Sequence, residues 1–390
     1  MRSQTMYNRH IIPFVIKDKE KYYDALGNIE GSWSGRGDVF RYCNAFIRES
    51  EILLANAINL FELGYFDNAY YSLRTAVELS TTIVFLSDMP EEKKENYFKS
   101  WRTGAAQFPF HGKMIHELVK TDNNFADMKS KMSSFFDSAR ELSEKINKYV
   151  HKQGFKHFYV LREQQIYRND ERMVAVFEYY LKKCIGIVAV MRLAIDPFPV
   201  LLMDDEIRLR CFDSLTEPYS DDFVAEYIGD RNIEDYKTTE IFLYAYEHFI
   251  KQEKKLESVY DVIHSQYINT QKFDELFSQL HLMTYNNVFC VSLVYFSEKI
   301  VKIYCENGLD WYFTDRNTNR ISKSYSSLDM MMYEKCKLRY NQIYDEVFIS
   351  VFNIKEKPFL VEHNEKFSDV EIENLNSRIE DIKVFINKWE

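Results

Sequence analysis

Arg74 and Glu78 stand four residues apart in NAYYSLRTAVELS. Arg140, Glu144, Asn147 and His151 follow at steps of four, three and four in RELSEKINKYVH. Residues of these types can carry out acid–base and phosphoryl-transfer chemistry. An imidazole titrates near neutral pH and can give or take a proton in a transition state. A cation such as Arg74, Arg140 or Lys145 can stabilise charge developing on a phosphate. Glu78 can orient that cation, and Asn147, one turn from His151, can select its tautomer. At about 100° per residue, Arg140, Glu144, Asn147 and His151 fall within about 60° of one another on a helix. Ala139, Leu142, Ile146, Tyr149 and Val150 take the opposite side. The polar stripe therefore faces solvent, a second subunit or a ligand. Arg74 and Glu78 lie among Leu73, Ala76, Val77 and Ile83, where a partly buried structural ion pair is the competing reading.

Other constellations are weaker. Trp311, Tyr312 and Phe313 precede Arg316, Arg320 and Lys323 in the polar stretch DWYFTDRNTNRISKSYS. Cations beside aromatic rings can hold a nucleic-acid backbone and stack a base, and an ordinary exposed loop has the same composition. His111 and His116 are five apart, about 140° round a helix, which is poor spacing for a shared metal. The cysteines at 43, 184, 211, 290, 305 and 336 contain no C-x-x-C pair and read as buried thiols of a reducing compartment. The acidic run Asp204-Asp205-Glu206 reads as a solvated turn or helix start. The glycine cluster GNIEGSWSGRG fits no phosphate-loop pattern, and there is no Gly-x-Ser-x-Gly elbow. No metal and no cofactor are expected.

The elements that must position these residues read as helices. Eleven glycines and seven prolines in 390 residues fall well below the usual share of about 12%, leaving little chain for turns. With 4 Trp, 28 Tyr and 30 Phe the chain can bury a large core. The expected fold class is all-α. Residues 1–37 read as an irregular segment and 38–195 as a four-helix unit. Its helices run from about Val39 to Leu63, Asn68 to Leu86 (capped by Asp67), Phe125 to Val150 and Asp170 to Ile195. Pro197 and Pro199 mark its end. Residues 200–390 read as a second helical region, with helices over Tyr236–Ile263, Phe273–Asn307 and Leu328–Phe352. A final amphipathic helix spans 370–389, opened by a Ser368/Glu371 capping box. Its apolar residues follow a seam spacing that fits the protein's own core or a partner helix. The charge-free stretch from Leu276 to Ser297 has the length of a membrane span. Gln279, His281, Asn286 and Asn287 make it a buried helix instead. A net charge of −10 argues against a surface coated in basic charge. With no signal-peptide pattern at the N-terminus, a cytoplasmic location is expected.

The long helix ending near Gly64, the segment YFDNAYYSLRTAVE and the later NKYVHKQG together resemble the HEPN superfamily over residues 40–195. That resemblance implies a four- or five-helix domain of prokaryotic defence or toxin–antitoxin proteins. Active members are metal-independent endoribonucleases whose motif is an Arg, four to six intervening residues and then a His, two copies meeting across a homodimer. His151 matches the histidine. The arginine positions hold Glu144, Lys145 and Ile146. The implied function is RNA cleavage using His151 across a homodimer, with RNA and a cognate antitoxin or defence-system protein as partners and no membrane. The alternative is a non-catalytic helical interaction or sensor module.

Overall fold

The computed structural model describes residues 11–33, 41–120, 123–158, 169–212, 216–305, 310–319, 340–344, 346–354 and 357–386. Among them the chain forms two compact units, Met1–Gln252 and Glu253–Glu390.

The first unit is helical, and its helices follow the apolar periodicity. It begins with α1 (Glu20–Gly31), where an irregular segment was expected. This helix buries Tyr22, Ala25, Leu26 and Ile29 at helical spacing. α2 (Arg41–Glu62) buries Phe46, Leu54, Ala57, Ile58 and Phe61. Gly64 then turns the chain at φ +85°. A Cβ at Gly64 would meet the Ile12 backbone nitrogen at 2.6 Å, so glycine is required for both conformation and space. α3 (Phe66–Ser87) packs back along α2. Asp67 does not cap it, because its carboxylate is buried in an ion pair with Lys152.

After α4 (Glu91–Arg102) comes α5 (His111–Leu118), in a stretch the sequence leaves undecided. The expected helix over 125–150 is broken at Met132 (φ −99°, ψ 35°) into α6 (Asn124–Lys131) and α7 (Ser133–Val150). α8 (Asp170–Arg192) completes the group. Aromatic rings lock the interior, with Phe61 stacked on Phe177 at 4.0 Å and Tyr70 on Tyr149 at 4.3 Å. At Gly186 of α8 the backbone of Tyr227 comes so close that no Cβ would fit.

The unit does not stop at Pro197 and Pro199. Tyr219 donates to Ala189 O at 3.0 Å and Tyr236 to Leu193 O at 2.9 Å. These bonds and the surrounding buried side chains tie α9 (Asp230–Tyr236) and α10 (Glu240–Phe249) to the same core.

The second unit overturns the all-α expectation. It starts with α11 (Glu257–His264) and contains a six-stranded mixed sheet in the order β1-β3-β2-β6-β5-β4. The strands are β1 (Tyr267–Ile268), β2 (Ile300–Cys305), β3 (Asp310–Thr314), β4 (Gln342–Tyr344), β5 (Val347–Ile354) and β6 (Lys357–His363). β1 pairs parallel to β3 and the other pairs are antiparallel. The expected helix over 273–307 is instead α12 (Phe273–Ser278), a 3-10 turn, α13 (Tyr285–Phe296) and then β2. Residues 310–314, expected in a loop, form β3. Of the expected helix over 328–352, residues 328–339 lie outside the described residues, and 342–344 and 347–352 are strand.

The physical reason is burial on both faces. Ile303, Phe352 and Val361 pack in one cluster with α13, while Tyr304, Val351 and Leu360 form another on the opposite side. Strands covered on both faces read as continuous apolar runs without period-2 alternation, and such runs do not distinguish strand from helix.

The last helix, α14 (Asp369–Ile386), opens with the expected capping box: Ser368 N donates to Glu371 Oε2 at 2.7 Å, and Glu371 N to Ser368 Oγ at 3.3 Å. Its seam residues Ile372, Leu375, Ile379 and Ile382 are buried in the unit's own core. Trp389 lies outside the described residues. Among the described residues no helix is long and apolar enough to cross a membrane.

Candidate functional site

α3, α5, α7 and α8 of the first unit enclose a cleft of about 610 Å³. α3 contributes Arg74, Val77, Glu78 and Thr81. α5 and the residue before it contribute Phe110, His111 and Ile115. α7 and its end contribute Phe136, Arg140, Asn147 and His151, and α8 contributes Ile187 and Met191. The helical periods explain the convergence. Residues 74, 77, 78 and 81 share one face of α3, and 136, 140, 143, 147 and 151 share one face of α7. Arg74, Glu78, Arg140, Glu144, Asn147 and His151, six of the seven residues singled out for chemistry by the sequence, therefore meet in one place.

The geometry distinguishes their roles. Arg74 Nη2 donates to Glu78 Oε1 at 2.7 Å, with both side chains about two-thirds buried. Arg140 Nη1 donates to Glu144 Oε1 at 3.2 Å, with both side chains more than 60% exposed. An exposed pair of this kind is worth about 0–1 kcal/mol, so an incoming anion can take the guanidinium from Glu144 at little cost. His151 is exposed at the C-terminal cap of α7, where its N–H donates to Asn147 O at 2.8 Å. The Asn147 side-chain oxygen is buried and has no hydrogen-bond partner among the described residues. Lys145 does not line the cleft. It is exposed and lies 3.7 Å from Glu141 on another face of α7.

Two participants were not read as such from the sequence. His111 sits in the cleft wall with Nδ1 3.0 Å from Thr81 Oγ1. Burial lowers its pKa from the usual histidine value. Arg74 adds to that effect and Glu78 opposes it. His116, its nearest histidine in sequence, is exposed, and its bonding partner Thr81 lies on another helix. Lys129 of α6 also lines the cleft, with no acidic side chain within ion-pair distance among the described residues. Only the fold could place it there.

No protein family, curated protein or solved structure matches this chain.

The other expected nucleic-acid contacts behave differently. Arg316 donates to the carbonyls of Ser297 at 2.7 Å, Ile300 at 2.9 Å and Val294 at 3.2 Å, closing the C-terminal end of α13. It is committed to the fold. Trp311 is 47% exposed on β3. Arg320 and Lys323 lie outside the described residues. A second cavity of about 770 Å³ in this unit holds Lys299 and Arg378, but Lys299 is bound to Glu371 at 2.7 Å and Arg378 is stacked over Phe296. Among the described residues no group of three or more His, Cys, Asp or Glu is arranged to hold a metal ion. Cys184, Cys290 and Cys305 are buried, and burial pushes the thiols of Cys184 and Cys290 upward, away from nucleophilic reactivity.

Proposed function

We propose that the first unit is a HEPN-like helical domain whose cleft binds RNA and cleaves it by metal-independent acid–base chemistry. The observation that carries this reading is the convergence of Arg74, Glu78, Arg140, Asn147 and His151 on one cleft. These residues come from helices separated by some sixty residues of chain. A solvated polar stripe would not need the Arg74–Glu78 pair opposite it.

The cleft suits a nucleotide on two counts. Its floor of Val77, Ile115, Phe136, Ile187 and Met191 is apolar and can cover the face of a base. Its rim carries Arg74, Lys129 and Arg140, which can meet a phosphate. In the reaction, a base takes the proton of a ribose 2′-hydroxyl and the oxygen attacks the adjacent phosphorus. The bond to the 5′-oxygen breaks, and an acid returns a proton to that oxygen. The products are a 2′,3′-cyclic phosphate and a 5′-hydroxyl. In this reading His151 serves as one of the two proton carriers, and the rim cations stabilise charge on the phosphorane. A homodimer, a cytoplasmic setting in bacterial defence or toxin–antitoxin biology, and a cognate protein partner belong to the same proposal.

The test is incubation of the full chain with total cellular RNA in the presence of a chelator. The wild type is expected to cleave and His151→Ala to lose cleavage about 10²–10⁴-fold. Equal cleavage by both proteins, or cleavage by neither, overturns the proposal.

A further inference from the structure

We infer that His111 is the general base of this cleft, so that one chain carries both proton-transfer groups. The inference rests on the RNA-cleavage reading and adds to it a catalytic residue on a different helix.

The argument turns on a single hydroxyl proton. Thr81 is fully buried, and its Oγ1 lies 3.1 Å from the carbonyl of Val77 one turn back on α3. A hydroxyl has one hydrogen to donate, and a carbonyl can only accept. We assign the Thr81 proton to Val77, whose carbonyl also accepts from Ser80 Oγ at 2.8 Å. Thr81 Oγ1 is then an acceptor towards His111 Nδ1, 3.0 Å away. On that assignment the neutral ring carries its hydrogen on Nδ1 and its lone pair on Nε2. No described residue makes a hydrogen bond to Nε2. The ring lines the cleft, and its burial favours the neutral form. A neutral imidazole with a fixed tautomer and an open Nε2 is the arrangement a general base requires, and the hydroxyl behind it is its orienting group.

The charged groups lining the cleft around this ring are Arg74 and Glu78 on α3, Lys129 on α6, and Asp137, Arg140, Glu144 and His151 on and at the end of α7. In the balanced step, Nε2 takes the 2′-hydroxyl proton as the oxygen–phosphorus bond forms, and His151 gives a proton to the departing 5′-oxygen. His111 is left protonated and His151 neutral. Both return to their starting states through water or by the reverse transfers when the cyclic phosphate is opened.

The experiment compares wild type, His111→Ala, Thr81→Val, Thr81→Ser and His151→Ala on one RNA, with His116→Ala as a control on the exposed side of α5. His111→Ala is expected to lose cleavage 10²-fold or more, and added imidazole is expected to restore part of it. Thr81→Val should lose about tenfold and Thr81→Ser should recover. The acid limb of the wild-type pH–rate profile should lie below the usual histidine range and vanish in His111→Ala. Retention of full activity by His111→Ala while His151→Ala is inactive overturns this inference and leaves the cleavage reading standing. An inactive, folded His111→Ala that imidazole does not rescue also overturns it, because a purely positional role would behave in that way. Absence of cleavage by the wild type removes both.

Discussion

Each unit of this protein contains a histidine bonded to a hydroxyl, and the two pairs are built for opposite purposes. In the second unit His363 Nε2 lies 2.8 Å from Ser350 Oγ and Nδ1 2.7 Å from Glu365 O. Both ring nitrogens are occupied, the residue is fully buried, and Phe367 stacks on it at 3.9 Å. Burial brings its pKa down to about 4. In the first unit Thr81 occupies one nitrogen of His111 and the other remains open in a cleft wall. A depressed pKa is common to both and distinguishes nothing. The second nitrogen does, because a ring satisfied on both sides holds a structure together and a ring satisfied on one side can still do chemistry.

The largest effects should separate the two histidines cleanly. His111→Ala should cost cleavage 10²-fold or more while lowering stability by only about 1 kcal/mol, the value of one hydrogen bond. His363→Ala should do the reverse. It loses two hydrogen bonds and a buried aromatic contact, so unfolding stability should fall by about 3 kcal/mol with cleavage per folded molecule unchanged. Parallel urea titrations and cleavage assays check this. A His363 variant that folds normally and fails to cleave would break the comparison.

Arg316 extends the contrast to the cations. Its three carbonyl acceptors make Arg316→Ala a structural lesion of about 3–5 kcal/mol, with RNA affinity unchanged when measured below the unfolding transition. Arg140→Ala, which gives up only an exposed pair, should leave stability within about 1 kcal/mol and weaken RNA binding instead. Reversal of these two outcomes would move the nucleic-acid surface to the second unit.

Acid should sharpen the same division. The folded pKa of His363 lies near 4, below the ordinary 6.5. Between those values the unfolded chain binds the proton and the folded chain does not, so stability rises with pH across that window. The contribution is complete above about pH 6.5 and lost as the pH falls towards 4, about 3 kcal/mol in all. Urea midpoints measured at successive pH values should fall through this range in the wild type and much less in His363→Gln.

How much of this was legible in sequence depended on which period each segment carried. The polar stripe of α7 could be read because residues 140, 144, 147 and 151 hold helical spacing over three turns. The Arg74–Glu78 pair was visible for the same reason. That the two stripes face each other across a cleft depends on tertiary packing. The strands IVKIYC and VFISVFNI were misread because both faces are buried, which erases alternation. Asn307-Gly308, between β2 and β3, was the available hairpin signal. His111 was missed because its partner Thr81 lies thirty residues away on another helix, a pairing no local spacing reveals.

The smallest expected effect tests whether Asn147 belongs with the open histidine or the satisfied one. Its side-chain oxygen is buried in the cleft wall without a hydrogen-bond partner among the described residues. An unsatisfied buried acceptor costs about 1–3 kcal/mol, and this site is half-buried, so the low end applies. Asn147→Leu should therefore raise stability by about 1 kcal/mol, while cleavage falls about tenfold through loss of a group able to bond substrate or orient His151. Thermal unfolding and a single-turnover cleavage rate measure the two effects side by side. Stability that drops together with activity would show that the oxygen is already satisfied in solution. Asn147 would then be a structural group like His363, and the cleft would have one fewer polar group available to a ligand.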